Sequence, residues 1–392
     1  MAAERIYLDH AATTPTDEAV VREMLPYFST CFGNASSTHK RGRDAVAAVD
    51  RARERIARAL GAIPSEIYFT SGGTESNNWA IRALAEANSS KGKHIISSAI
   101  EHPSLLGALA KLEESGYEVT YLPVNEKGVV SPSDVAAVIR EDTTLVSVMT
   151  VNNEVGSLQP IREIAAIAHE AGALFHTDAV QAVGVIPIDV VELGIDALSI
   201  SAHKFYGPKG IGALYLKKGT KIKPFLIGGE QEHSLRGGTY NTPGIVGMGV
   251  ALERAVSSLP ETAAHLALLK SRFLGICDPL IRLNGDTSGH PGIVNLTFFG
   301  IRNTEFLSAL DREGIDASVG SACSSGSVEP SHVLAAVGLP EGEISSSIRF
   351  SFGKENTLAE VNRSVDVIRS LLTRLRREVD LFRVNPSEKI EG

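Results

Sequence analysis

Short apolar runs rich in β-branched residues alternate with longer amphipathic stretches, and this alternation narrows the fold more than any other feature of the chain. Ile67-Tyr68-Phe69-Thr70 precedes a helical stretch at about 75–86, and Ile95-Ile96-Ser97-Ser98 precedes one opened by Pro103. Val119-Thr120-Tyr121-Leu122 leads to a helix near 132–140, and Leu145-Val146-Ser147-Val148-Met149 to one at 161–171. Leu174-Phe175-His176 and Ala197-Leu198-Ser199-Ile200 read as two further strands. Such a series indicates βαβ units and a mostly parallel sheet. Runs that are apolar throughout fit a sheet covered by helices on both faces. Near residue 258 the pattern changes to a helix at 261–277, a strand at 293–299, a helix near 304–312, a strand at 346–352 and a long amphipathic helix at about 357–383. The reading is therefore α/β, with a large domain at 16–257 and a smaller α+β domain built from 1–15 and 258–392. The first 15 or so residues are expected to dock on one of the two bodies, and the end of the chain is read as a solvated tail.

A length of 392 residues accommodates two such domains. The net charge of −8 argues against general nucleic-acid binding. No apolar run approaches the ~18 residues of a membrane span, and no apolar stretch follows a basic one at the start. Three cysteines, Cys31, Cys277 and Cys323, cannot form a disulfide framework, which points to a reducing, cytoplasmic home. No Cys/His spacing resembles a structural metal site, and none is expected.

Ligands of open α/β sheets bind beyond the carboxyl ends of the strands. After Phe69 comes Thr70-Ser71-Gly72-Gly73-Thr74-Glu75, which is either a capped tight turn or an anion site at a helix start. After the strand at 174–176 comes Asp178, which is either a helix cap or a functional acid, with Gln181 close by. After Ile200 comes Ser201-Ala202-His203-Lys204, where desolvation would make the Lys204 amine nucleophilic. His102 ends another strand and reads as a cap, a core histidine or a proton shuttle. Each signal alone is weak. Together, a phosphate turn, a strand-end acid and a strand-end lysine are what pyridoxal phosphate requires. Cys323 lies in Gly320-Ser321-Ala322-Cys323-Ser324-Ser325-Gly326, too small-sided for a packed core and suited to carry a reactive thiol.

Tyr7-Leu8-Asp9-His10-Ala11-Ala12-Thr13-Thr14-Pro15, Phe32-Gly33-Asn34-Ala35-Ser36-Ser37, Ser71-Gly72-Gly73-Thr74-Glu75, Asn152-Asn153-Glu154-Val155-Gly156, Ser201-Ala202-His203-Lys204 and Arg236-Gly237-Gly238-Thr239 occur in this order. Together they resemble the NifS/IscS-type cysteine desulfurases, in the class V aminotransferase group of fold-type I pyridoxal-phosphate enzymes. The resemblance runs from about residue 6 to about 355. It implies a Lys204 Schiff base, Asp178 on the pyridine nitrogen and Gln181 on the phenolic oxygen. It implies Gly73, Thr74, Ser201 and His203 at the phosphate, with His102 stacked on the ring. It also implies a homodimer in which Thr239 reaches the neighbouring subunit's cofactor. Asn34, Asn153 and Arg349 resemble the groups that hold a substrate carboxylate, and Cys323 the nucleophile. The implied activity converts L-cysteine to L-alanine and leaves a Cys323 persulfide for an acceptor such as an iron–sulfur scaffold or a tRNA-thiolation relay. A selenocysteine or cysteine-sulfinate lyase, an aminotransferase and a non-catalytic sulfur-transfer scaffold are the competing readings. His10-Ala11 departs from the Asn-Asn of many members, and 379–385 does not resemble the tail with which some members dock a scaffold.

Overall fold

The computed structural model describes residues 5–320 and 330–384. Its strands are β1 (Ile6–Tyr7), β2 (Ile67–Thr70), β3 (His94–Ser98), β4 (Glu118–Leu122), β5 (Thr143–Ser147), β6 (Leu174–Asp178), β7 (Ala197–Ser201), β8 (Gly212–Leu216), β9 (Ile281–Asn284), β10 (Ile293–Phe298), β11 (Ile315–Asp316) and β12 (Ser347–Ser351). Seven of them form one sheet in the order β2-β8-β7-β6-β5-β3-β4. The pairings from β4 to β7 are parallel, while β8 runs antiparallel between β7 and β2. Every strand except β8 therefore points the same way, so β2, β3, β6 and β7 end on one edge. β2, β3, β5, β7 and β8 are buried at every position, which is why their sequences are apolar or small-polar rather than alternating.

The helix Lys40–Leu60 was not anticipated from the sequence. Its buried face is mostly Ala45, Ala48, Val49, Ala52, Ile56 and Leu60, and it stops at Gly61, whose φ of 71° is left-handed. The small residues matter, because a Cβ on Gly249 would lie 2.8 Å from Ala52 Cα. That close approach packs the helix Thr242–Ser257 against it.

A second apolar core surrounds the antiparallel sheet β12-β10-β9, backed by helices Leu259–Leu274, Asn303–Arg312 and Leu358–Val384. The N-terminal segment docks here, since β1 pairs with β11 and Ile6 and Leu8 belong to this core. The segment then leaves it. Asp9 bridges Ser351, and Thr14 N–H reaches the carbonyl of His203 beyond β7 at 2.9 Å.

Candidate active site

A cavity of about 230 Å³ opens at the shared strand edge. Helix Gly73–Ala87 begins there directly after β2. Its N-cap, Gly72, has a φ of 155° that side-chain-bearing residues rarely adopt, and no side chain caps the helix. The first-turn N–H groups, with Gly73 and Thr74 in the cavity wall, carry the positive end of the helix dipole. A Cβ on Gly73 would fall 2.8 Å from Val180 Cγ2, so only glycine leaves the main chain bare at this spot. Arg236 fixes the turn through two bonds to Glu75, at 2.8 and 3.1 Å, while Glu75 Oε2 also accepts the Ser71 N–H.

Asp178, Ser201, His203 and Lys204 reach the cavity from the ends of β6 and β7. Asp178 is buried, with Oδ1 accepting the Val180 N–H at 2.9 Å and Oδ2 an Asn77 Nδ2 hydrogen at 2.6 Å. Lys204 Nζ donates to the carbonyls of Ala11 and, at 2.9 Å, Ala12. Gln181 Nε2 donates to the same Ala11 carbonyl at 2.8 Å. Burial pushes His203 down to about 4, helped by Lys204 and Lys209.

His102 proves to be both cap and cavity wall. It caps helix Pro103–Glu113 by accepting the Ser104 N–H on Nδ1, and it lines the cavity. Burial lowers its proton affinity below that of an ordinary histidine; Asp178 opposes this, while Lys204 and His332 add to it.

Arg349, on β12, enters from the second core and is 1% exposed. Nη1 donates to the carbonyls of Asn153 and Gly320, each at 2.8 Å, and Nη2 to Asp9 Oδ1 at 2.9 Å. Its Nε is buried with no partner among the described residues. Asn153 joins the wall because Asn152 Oδ1 accepts the N–H groups of Glu154 and Val155 and curls the segment.

Gly73, Thr74, His102, Asn153, Asp178, Gln181, Ser201, His203, Lys204 and Arg349 thus meet at one cavity. Thr239 is exposed and lines a different one, with Ser71 and Arg236. Asn34 is also exposed, its Oδ1 accepting the Ser36 N–H at 2.9 Å. Cys323 lies outside the described residues. Sequence reasoning missed Asn77, Ser104 and the Ala11–Ala12 carbonyls. Asn77 stands one helical turn past Gly73 on the same face, a legible position. Main-chain carbonyls carry no side-chain signal at all.

The model of the aminotransferase class-V family matches residues 6–363. A cysteine desulfurase IscS of Methanosarcina thermophila is 50% identical over 95% of this chain and 93% of its own length. Another IscS, from Dictyoglomus turgidum, is 48% identical over 95% of each chain. Among solved structures, a NifS-like protein superposes with a TM-score of 0.89 at 38% identity, over 94% of this chain and 99% of that one. A structure described as SspA in complex with cysteine gives a TM-score of 0.80 at 40% identity, covering 90% and 99% of the two chains. Likeness of this extent, on a fold that gathers most of the expected residues at one cavity, places the chain in the class-V aminotransferase family, within its NifS/IscS-like cysteine desulfurases.

Proposed function

We propose that the protein is a cysteine desulfurase that uses pyridoxal 5′-phosphate, takes L-cysteine to L-alanine and leaves the sulfur on Cys323. The observation that carries this reading is the meeting of an uncapped helix start, a strand-end carboxylate and a lysine amine at one cavity. These are the three groups the cofactor asks of a protein: phosphate donors, a partner for the pyridine nitrogen and an amine for the aldehyde. The bare main chain at Gly73 and the orphaned, buried Asn77 Oδ1 in the cavity wall support the fit. Gly73, Thr74, Ser201 and His203 are assigned to the phosphate, Asp178 and Gln181 to the ring, and Lys204 to the aldehyde.

When bound, the cofactor supplies an electron sink in conjugation with the substrate's α-carbon. Arg349 and Asn153 hold the substrate carboxylate, for which the unpartnered Nε of Arg349 is an available donor. Lys204 Nζ takes the α-proton, and His102 handles the proton beside the substrate sulfur. Cys323, as thiolate, bonds to that sulfur while the substrate's Cβ–S bond breaks. The electron pair stays on carbon, which takes a proton to become the methyl group of alanine. L-cysteine and one thiol give L-alanine and one persulfide, with no external oxidant.

We also assign residues 16–257 to a cofactor-holding body and 1–15 with 258–392 to a second one; the largest apolar cluster and the one around β12-β10-β9 share no residue, which supports this, while a smaller cluster joins Ile100, Met149 and Val155 to Val333, Leu334 and Val337. A homodimer in which Thr239 serves the neighbouring cofactor, a cytoplasmic setting and a sulfur-acceptor protein complete the proposal. Mass spectrometry of Cys323 after incubation with cysteine tests it, with one added sulfur expected alongside stoichiometric alanine. Alanine formed by Cys323→Ser at the parent rate would remove Cys323 from the reaction. Alanine from selenocysteine but none from cysteine would make the protein a selenocysteine lyase.

A further inference from the structure

Helix Gly73–Ala87 places Asn77 between the end of β6 and the start of helix Pro103–Glu113. Asn77 Nδ2 donates to Asp178 Oδ2 at 2.6 Å and to Ser104 Oγ at 3.0 Å. Asn77 Oδ1 has no partner among the described residues. Turning the amide over would set that oxygen against a carboxylate, so the donor orientation is the one that holds. Ser104 Oγ accepts from Asn77 and keeps its own hydrogen, with His102 Nδ1 2.8 Å away. The Ser104 main-chain N–H donates to the same Nδ1 at 3.1 Å. With both Ser104 donors on Nδ1, the neutral ring carries its proton on Nε2.

We propose that Asn77 and Ser104 are positioning residues for this reaction: Asn77 orients Asp178, and Ser104 holds His102 as a neutral Nε2–H donor instead of a base. Their roles rest on the assignments of Asp178 and His102 made above. In this form the imidazole gives a hydrogen bond to the departing sulfur, and a second proton can enter only at Nδ1 by displacing two donors. The groups facing the ring agree. Lys204, beyond β7, and His332, on helix His332–Ala336, disfavour a cationic ring, and among the described residues Asp178 is the facing group that favours it. The carboxyl of Glu101, the residue before His102, accepts from Ser98 Oγ and the Met149 N–H on Oε1.

The test uses the pyridoxal-phosphate-loaded enzyme with ¹⁵N-labelled histidine and no substrate, the His102 signals being identified by their loss in His102→Gln. The parent ring is expected as the Nε2–H tautomer. Ser104→Ala removes one donor from the neutral form and raises the ring's proton affinity about fivefold, the factor that one ordinary hydrogen bond of about 1 kcal/mol sets. Ser104→Thr, which keeps the hydroxyl, restores the parent titration. Asn77→Ala leaves the tautomer in place and raises the dissociation constant of pyridoxal phosphate about tenfold or more in equilibrium dialysis, as the loss of a hydrogen bond to a charged group does. An Nδ1–H ring in the parent, an unmoved titration in Ser104→Ala, or parent-like cofactor affinity in Asn77→Ala overturns the proposal. None of these readouts involves cysteine turnover, so their failure is distinct from failure of the desulfurase reading.

Discussion

Arg349 holds three oxygens with its two terminal nitrogens and leaves Nε without one, in a site where the side chain is 2% exposed. An unsatisfied buried donor on a charged group is unfavourable by about 1–3 kcal/mol or more, and an incoming carboxylate relieves that. A lysine cannot reproduce the planar fork. Arg349→Lys is therefore expected to lower kcat/KM for cysteine about 10–100-fold, mostly through KM, from hydrogen bonds worth about 1.5–3 kcal/mol. Steady-state alanine release measures this, and an unchanged KM would move carboxylate recognition elsewhere. At this scale the sequence was legible where a polar side chain follows an apolar strand, as with Asp178, Lys204 and His102, and it missed Asn77 and Ser104, whose side chains act from helices. It was silent where the partner is a carbonyl, as with Ala11 and Ala12 on Lys204. It was ambiguous where one residue has two tasks, because the capping role of His102 and its place in the cavity are the same geometry seen from two sides.

At the level of elements, the start of helix Gly73–Ala87 is a junction of three constraints: the φ of Gly72, the closeness of Val180 to Gly73, and the Arg236–Glu75 pair. Gly73→Ala forces Val180 or the turn to shift. It is expected to weaken pyridoxal phosphate binding at least tenfold with little change in the thermal transition of the cofactor-free protein, and equal cofactor retention after dialysis would refute this. The loop before helix Thr242–Ser257 is held differently. Glu232, His233 and Ser234 take left-handed φ values of 49°, 57° and 64°, which non-glycine residues sustain only when over-determined. The determinant is a buried ion pair: Arg53 meets both Glu232 oxygens at 2.7 and 2.9 Å, and Glu232 Oε2 also accepts the Phe69 N–H of β2. Glu232→Ala strands the buried guanidinium and is expected to destabilise the fold by about 3–5 kcal/mol in urea titration. A loss below 1 kcal/mol would show the pair to be dispensable. Sequence periodicity found most helices and strands that follow one another locally. It missed β8, whose antiparallel insertion between β7 and β2 is a matter of long-range pairing, and Lys40–Leu60, although Ala45, Val49, Ala52, Ile56 and Leu60 recur there at helical spacing.

Across the whole molecule, ionisable groups of opposite tendency are locked in the interior. His176 lies between Ser147 Oγ and Ser199 Oγ in the middle of the large sheet, and burial lowers it to about 3; burial, then Lys270, does the same to His290. Both stay neutral when folded, whereas the unfolded chain binds their protons below about 6.5. Their stabilisation is complete above that pH and drains away as the pH falls towards 3. Glu101 has the reverse sign. Burial raises it to about 8, so its contribution is full below its ordinary range near 4.5 and is lost as the pH rises towards 8. Stability is expected to peak near pH 6.5, and Glu101→Gln is expected to flatten the decline between 6.5 and 8. Urea midpoints across pH 4–9 provide the check, and an alkaline decline that survives the substitution would exonerate Glu101. The change of elements near 258, where the helices and strands around β12-β10-β9 begin, was readable from the sequence. The crossing of the N-terminal segment was not, because residues 9–14 reach both sheets through main-chain groups and the short side chains of Asp9, Thr13 and Thr14, which carry no periodic signal. That crossing has a practical side for anyone trimming or tagging the gene. Clipping the leader up to Thr14 would strip Arg349 of a carboxylate and Lys204 of two acceptors at once, so a protease site or fusion handle belongs well clear of this strap.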